Sequence, residues 1–321
     1  MVVSILGMTF AHAISTETAE LFAPGVISGV GSNFAPAFSP DRSYVLFTRM
    51  HDGDHLSILI AHRVGSAWSA PHVTPFSGHW NDLEPALSVD GSYVLFASDR
   101  PVPGSVEPLQ AHYQGSVFSG GNLWRSKIIE GIWTEPEWLP AFINNSASIW
   151  TPSVAGDGNL YFMSTDQKTD RFRLHVALQD HGNYQPPGDL SFSNGEFNDV
   201  DPMIDPHERF LIFSSDRAAP GPGSLPGPER LFIAFDPRGS SPVVCPISIP
   251  GWGELSLSQT EARLSPDQRM LFFASKRIIH KPRERSAGSW DDGKAKIWMV
   301  PLRPNLWQQA GGSEACRKRS I

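Results

Sequence analysis

Cysteine and charge are both scarce in this sequence. Of its 321 residues two are cysteine, 26 are Lys or Arg and 33 are Asp or Glu, so only 18 % of the chain is charged. Cys245 and Cys316 form no CxxC pair, which excludes a zinc ribbon and a thioredoxin-type redox site. In an exported protein they can form one disulfide that ties the tail to the body. Two free thiols are the equal alternative, and the sequence leaves that choice open.

Long apolar runs and an excess of basic residues are also missing. A bilayer span needs about 20 apolar residues, and no run of that length occurs. The net charge of -7 and the pI near 5.9 give no positive field for nucleic acid. No Gly-x-Ser-x-Gly elbow and no glycine-rich phosphate loop occurs. We therefore expect a monomer with no membrane span, no nucleic-acid partner and no cofactor.

The amino terminus has the character of an export signal. Residues 1–13 read MVVSILGMTFAHA, a short apolar run that ends in Ala11-His12-Ala13. An apolar segment before a small-x-small triplet is typical of a signal-peptidase site, although no basic residue precedes it here. We predict that residues 1–13 are the remnant of a signal peptide and that the protein is periplasmic or secreted. A frayed or partly packed terminus is the alternative.

Turn-forming and aromatic residues are abundant instead. The chain has 28 Gly, 28 Pro, 19 Phe, 10 Trp and 5 Tyr, and 40 % of it is hydrophobic. Disordered chains are poor in aromatics and rich in charge, so this composition opposes disorder. Gly and Pro also oppose long helices, because they cost about 1 and 3 kcal/mol in a helix interior. The composition predicts a turn-rich, mostly β protein.

A hairpin recurs five times along the chain. Each copy has a short apolar strand, a turn and a second strand rich in aromatic and β-branched residues. The copies read PAFSPDRSYVLFTR from Pro36, PALSVDGSYVLFASDR from Pro85, TPSVAGDGNLYFMSTD from Thr151, DPMIDPHERFLIFSSDR from Asp201 and EARLSPDQRMLFFASKR from Glu261. Repeats of about 56 residues are typical of four-stranded propeller blades. A third strand follows each hairpin, and a fourth opens with an aromatic before a proline, as at Trp68, Trp133 and Tyr184.

The fourth-strand signature also occurs once before the first hairpin, as Leu21-Phe-Ala-Pro24, whereas the fifth repeat runs out near Val300 without one. This offset predicts that an amino-terminal strand completes the last blade and closes the ring, leaving no exposed edge. We predict an all-β fold, a propeller of five antiparallel blades over residues 19–300 with a flexible tail at 301–321. Six blades, or an open row of hairpins, are the alternatives.

The repeat resembles the TolB-type, WD40-like (PD40) β-propeller repeat, whose consensus has a Ser-Pro-Asp-Gly turn and a second strand ending in Ser-Asp-Arg. The resemblance rests on Ser39-Pro40-Asp41, Asp90-Gly91, Ser98-Asp99-Arg100, Ser215-Asp216-Arg217 and Ser265-Pro266-Asp267. The turn acid is lost at His207 and the Ser-Asp-Arg acid at Lys276. The resemblance implies a propeller and is less specific about function, because the repeat occurs in partner-binding proteins and in accessory domains of peptidases.

Acids and aromatics gather just before or within the first strand of each blade, which lines the central channel of a propeller. Symmetry brings equivalent positions around one axis, so we expect these residues to converge at one channel mouth. We predict a ligand-binding site formed by Asn33, Trp80, Asp82, Glu84, Trp150, Phe197, Asp199, Asp201 and Glu261. Carboxylates beside aromatic faces suit a sugar, a peptide amine or a cation. The alternative is that these acids only satisfy strand-end amides.

The same acids also allow an enzyme. Crowded carboxylates raise one another's pKa, and a glycoside hydrolase uses two of them as acid and base or nucleophile. In that case Asp82, Glu84, Asp199, Asp201 and Glu261 are the candidates.

Two other sets of polar residues have simpler interpretations. Asp41, Asp90, Asp157 and Asp267 stand at one place in the repeat, where a short acid bonds its own turn. The run His51-Asp52-Gly53-Asp54-His55 is a weak metal candidate, because Asp-Gly favours a hairpin turn.

We predict an exported binding module that recognises a protein or carbohydrate through the channel mouth and the loops Pro101–Gly121 and Ala218–Glu229. A glycoside hydrolase and a purely structural subunit are the alternatives.

Overall fold

The chain folds into a five-bladed β-propeller with almost no helix. The computed structural model describes residues 18–51, 53, 55–217, 227–252, 257–277, 290–308, 314–319 and 321. The export signal expected at residues 1–13 lies outside the described residues. Among the described helices, none has the length and apolarity that crossing a bilayer requires.

Each blade is an antiparallel sheet whose first strand lies innermost. Blade 1 contains β2 (Ser32–Phe38), β3 (Tyr44–Met50) and β4 (Leu56–Val64), with β5 (Ala67–Trp68) and β6 (His72–Val73) at the outer edge. Blade 2 contains β7 (Asp82–Leu87), β8 (Tyr93–Ser98) and β11 (Asn122–Ile129), with β12 (Ile132–Trp133) and β13 (Glu137–Trp138) at the edge. A separate hairpin, β9 (Gln110–Tyr113) and β10 (Ser116–Ser119), interrupts blade 2 between β8 and β11.

The remaining three blades repeat the plan. Blade 3 contains β14 (Ile149–Val154), β15 (Leu160–Asp166), β16 (Arg171–Ala177) and β19 (Gly188–Asp189), with a small pair β17 (Gln179–Asp180) and β18 (Asn183–Tyr184). Blade 4 contains β20 (Asp199–Ile204), β21 (Phe210–Ser215), β22 (Arg230–Phe235) and β23 (Val243–Pro246). Blade 5 contains β24 (Thr260–Leu264), β25 (Met270–Ser275), β26 (Lys296–Pro301) and β1 (Glu20–Leu21).

The hydrophobic core lies between the blades. The middle strands are buried on both faces and are therefore nearly continuous apolar runs, such as the segment Val94–Ala97 in β8. One apolar cluster joins blades 2, 3 and 4. Three others join blades 4 and 5, blades 5 and 1, and blades 1 and 2. Each blade is thus held by the faces of its two neighbours.

The ring closes as the offset signature predicts. β1 pairs with β26, with Glu20 opposite Met299 and Leu21 opposite Trp298. Phe22 follows this strand, and its ring packs 5.0 Å from Phe272 of blade 5 and 5.6 Å from Phe38 of blade 1. The amino-terminal segment therefore completes the last blade and stabilises its contact with the first.

The recurring acids form short networks in the turns between first and second strands. Asp41 accepts hydrogen bonds from Ser43 N at 3.0 Å and Ser39 Oγ at 2.7 Å, which lower its pKa to about 2. Where His207 replaces the acid, Asp205 accepts from His207 N at 3.2 Å and pairs with Arg209 at 2.8 Å. The turn therefore keeps a carboxylate, supplied from two residues earlier.

The carboxyl-terminal segment is attached to blade 4. Cys245 of β23 and Cys316 form a disulfide, which settles the choice that the sequence left open. The segment has two short helices, α1 (Asn305–Gln308) and α2 (Glu314–Arg317); α2 contains Cys316, and Trp307 of α1 is fully buried against Phe235. The flexible tail expected at 301–321 stays a prediction, and these contacts oppose it.

Candidate functional site

A left-handed residue interrupts the inner strand of every blade. The pairing register shifts near the middle of β2, β7, β14, β20 and β24. At each shift one residue has a positive φ: Ala35 (50°), Glu84 (56°), Thr151 (46°), Asp201 (56°) and Glu261 (57°). This backbone costs roughly 1–2 kcal/mol for a residue with a Cβ, and bulges of this kind re-aim side chains.

Three of these five residues are acids that meet in the channel. Glu84, Asp201 and Glu261 come from blades 2, 4 and 5, and one carboxylate oxygen of each lies within 4.8 Å of the others. Glu84 and Asp201 are each 4 % exposed and Glu261 is 9 % exposed. We call these three residues the acid cluster. The structure thus brings three of the nine predicted site residues together.

Backbone amides of the following blades orient two acids of the cluster. Glu84 Oε2 accepts a hydrogen bond from Thr151 N of blade 3 at 2.6 Å. Asp201 Oδ2 accepts one from Glu261 N of blade 5 at 3.0 Å. Glu84 and Asp201 thus each bond the equivalent residue of the following blade, so the left-handed residues supply backbone donors for two of the three acids.

Burial and mutual repulsion favour protonation of the acid cluster. Desolvation, then the charge of Asp201, raises the pKa of Glu84 to about 7. The same causes raise the pKa of Glu261 well above its usual value, and burial raises that of Asp201. Arg263 opposes these shifts at all three acids. Near neutral pH the cluster therefore holds protons that exposed carboxyl groups would have lost.

Arg263 is a channel residue that the sequence reasoning missed. Its Nη2 lies 3.4 Å from Glu261 Oε2, its Nη1 donates to the carbonyl of Ala262 at 2.8 Å, and the residue is 3 % exposed. Arg263 also lines an axial cavity of about 220 Å³ whose other walls are mostly prolines and small side chains. The sequence does contain a signal for it. Two residues after the left-handed residue, blade 5 has an arginine, whereas the other blades have the uncharged residues Ala37, Ala86, Ser153 and Met203.

Asp82 and Asp199 lie apart from the acid cluster. Asp82 is fully buried and pairs with Arg100 at 2.6 Å, and Asp199 pairs with Arg217 at the same distance. Asn33 occupies the equivalent position in blade 1, where it donates to Gly29 O and accepts from Arg49 Nε. Through these contacts, the three predicted site residues fix the loop that precedes the first strand of their blade.

The acids of the two Ser-Asp-Arg motifs have a related role. Asp99 accepts two hydrogen bonds from Asn81, at 2.9 and 2.7 Å, and Asp216 accepts two from Asn198, both at 2.9 Å. Each acid thereby caps the loop just before the innermost strand of its own blade.

The three predicted aromatic residues lie in or just before the first strands of blades 2, 3 and 4. Trp80 is half-buried beside His79, Phe197 is half-buried under the guanidinium of Arg217, and Trp150 is 7 % exposed. The ring of Trp150 stacks on Phe118 of the β9–β10 hairpin. This hairpin belongs to the predicted loop Pro101–Gly121, and it reaches blade 4 through a bond from Tyr113 Oη to Asn198 at 3.0 Å.

Oxygen ligands alone make up the acid cluster, so it suits a hard cation such as Ca²⁺ or a protonated amine. The other predicted metal site, the run from His51 to His55, lies partly outside the described residues, which include its two histidines but not Asp52 and Asp54. Most of the second predicted loop, residues 218–226, also lies outside them.

Comparisons with known proteins support the fold. No protein-family model and no curated protein matches the sequence. The structure is similar to an α-L-arabinofuranosidase from Lactobacillus brevis, with a TM-score of 0.55, 11 % identity, and coverage of 85 % of this chain and 91 % of that one.

Two TolB structures are also similar. A putative TolB from Agrobacterium tumefaciens has a TM-score of 0.48 and 14 % identity, over 85 % of this chain and 91 % of that one. TolB from Acinetobacter baumannii has a TM-score of 0.48 and 13 % identity, over 85 % of this chain, which spans 55 % of that protein. At these identities such likeness concerns the fold alone, and membership of the TolB-type repeat family stays a prediction.

Proposed function

We propose that this chain is an exported binding module whose channel receives a cationic group from a protein partner. The observation that carries the proposal is the acid cluster, three buried carboxylates supplied by three blades. Burying carboxylates is costly unless a positive charge or a proton compensates them. Arg263 supplies one positive charge for three carboxyl groups, and a bound cation can replace a proton that otherwise compensates the others.

The shape of the site favours a lysine side chain or an amino terminus. An ammonium has three donors, and the cluster presents oxygens from three directions around the channel. A lysine side chain is narrow and unbranched, so it needs a smaller opening than a sugar ring does to reach acids that are 4–9 % exposed. The Arg263 guanidinium beside Glu261 disfavours a divalent metal more strongly than a single ammonium.

Titration calorimetry with a trilysine amide tests this proposal. The channel variant E84Q/D201N/E261Q should lose binding. The control variant E20Q/E107Q/E135Q makes the same number of carboxyl-to-amide replacements at exposed positions and should keep it. Equal binding by both variants would show that the peptide recognises overall negative charge and would contradict the site. A calcium titration that saturates and depends on the same three acids would replace the ammonium with a metal ion.

A glycoside hydrolase is the second candidate. Its support is the pKa of Glu84 near 7, the range of a general acid, beside a second carboxylate. The low exposure of the acid cluster opposes it, since a sugar must contact both acids. It predicts glycan cleavage that disappears in E84Q or D201N, and a wild-type protein inactive on a broad glycan panel would exclude it.

A further inference from the structure

A serine, a histidine and an aspartate form a chain of hydrogen bonds on one face of blade 3. Ser164 Oγ lies 2.8 Å from His175 Nε2, and His175 Nδ1 lies 3.0 Å from Asp189 Oδ1. Both distances fall within the range of nucleophile–base and base–orienter pairs in hydrolases, roughly 2.6–3.2 Å. None of the three belongs to the channel, so this arrangement is independent of the acid cluster.

The strand register explains how the three side chains meet. His175 stands opposite Phe162 on β15 and opposite Asp189 on β19. Ser164 is two residues beyond Phe162 and therefore lies on the same face of the sheet. Three adjacent strands thus present the three groups in order across one face.

The hydrogen bonds also fix the tautomer of the histidine. A carboxylate only accepts hydrogen bonds, so Nδ1 of His175 carries the proton toward Asp189. In the neutral ring Nε2 is then the acceptor, and it receives the hydroxyl proton of Ser164. Burial lowers the pKa of His175, with Asp189 and Asp166 opposing and Arg173 assisting, which favours this neutral form. The ring is therefore arranged as a general base for the hydroxyl.

Arg173 positions the aspartate. Its Nη2 lies 2.7 Å from Asp189 Oδ2, its Nη1 lies 2.9 Å from Asp166, and its Nε donates to Ser193 O at 2.7 Å. Asp189 is half exposed, so without this arginine its side chain would be free to change rotamer. The orienting carboxylate is thus held by a second charged contact.

The three residues line an open cavity. Its volume is about 600 Å³, and its other walls include Asn145, Ser146, Lys168 and Asn194. These polar side chains suit a small acyl group on a hydroxylated alcohol. The amides and the ammonium are donors of the type that stabilises an oxyanion.

We propose that Ser164, His175 and Asp189 form a nucleophilic site that hydrolyses short-chain carboxylic esters of polar alcohols. Ser164 Oγ attacks the carbonyl carbon while its proton passes to His175 Nε2. The ester C–O bond then breaks, and the alcohol leaves with that proton. A water molecule attacks the acyl-serine, gives a proton to Nε2, releases the acid and restores the Ser164 hydroxyl.

Covalent labelling and ester hydrolysis test the proposal. A fluorophosphonate probe should modify Ser164, located by peptide mass spectrometry, and p-nitrophenyl acetate should be hydrolysed. S164A and H175N should each lower kcat/KM by at least about 100-fold. S66A removes an exposed hydroxyl from a turn outside this cavity and should keep the activity and the label. The acid-cluster variant E84Q/D201N/E261Q should also keep both, which separates this site from the channel.

Two results would overturn the proposal. One is a wild-type protein that takes no label and shows no hydrolysis above buffer. The other is an S164A variant with normal thermal unfolding that hydrolyses the ester as fast as the wild type.

Discussion

Replacement of Glu84 by glutamine should stabilise the protein at alkaline pH. A raised carboxyl pKa means that the folded state holds the proton more tightly than the unfolded state. Its stabilising effect is complete below the unfolded pKa and is lost as pH rises to the folded pKa. For Glu84 that window runs from 4.5 to about 7, and each unit corresponds to 1.36 kcal/mol. The cost of ionising this one group in the folded protein is therefore about 3 kcal/mol above pH 7.

Glutamine keeps an oxygen that can accept the bond from Thr151 N and carries no charge at any pH. Urea unfolding at pH 8 should show E84Q more stable than the wild type by up to about 3 kcal/mol, with the difference vanishing near pH 4.5. E135Q, at an exposed position, is the control and should follow the wild type throughout. An E84Q variant that is less stable than the wild type at pH 8, or that differs from it equally at both pH values, would show that Glu84 is not destabilised by its ionisation in the fold.

Three further changes test the ring, its tail and the entry loops. F22A should cost about 3–5 kcal/mol in urea unfolding, because this 7 % exposed ring joins blades 5 and 1. C316S opens the link to Cys245 across 71 residues and should cost about 4 kcal/mol by loop entropy, measured under non-reducing conditions. R100Q leaves the fully buried carboxylate of Asp82 without the guanidinium whose charge opposes the rise that burial causes in the Asp82 pKa, and should cost about 3–5 kcal/mol; a change below about 1 kcal/mol would show that the pair is open to water.

Much of the fold follows from the sequence because it repeats. Five equivalent hairpins specify five blades, and one displaced aromatic-proline signature specifies the closing strand. Repetition also places Glu84, Asp201 and Glu261 around one axis, since they occupy the same position in three blades.

Other parts of the site depend on features that a repeat does not reveal. Asp82 stands two residues before Glu84, and simple alternation would put both on one side of the strand. The bulge centred on Glu84 breaks this alternation, and the carboxylate of Asp82 forms an ion pair with Arg100 instead. The Ser164–His175–Asp189 chain depends on cross-strand register, which separates its members by 11 and 14 residues in sequence.

Proton release on binding tests most directly the claim that the acid cluster exchanges protons for a cation. The measurement is calorimetry of trilysine amide binding at pH 6.5 in buffers of different ionisation enthalpy. We expect an enthalpy that depends on the buffer and corresponds to release of about one proton, and we expect that dependence to be absent in E84Q/D201N/E261Q. Binding with an enthalpy independent of the buffer, equal in the wild type and that variant, would contradict it.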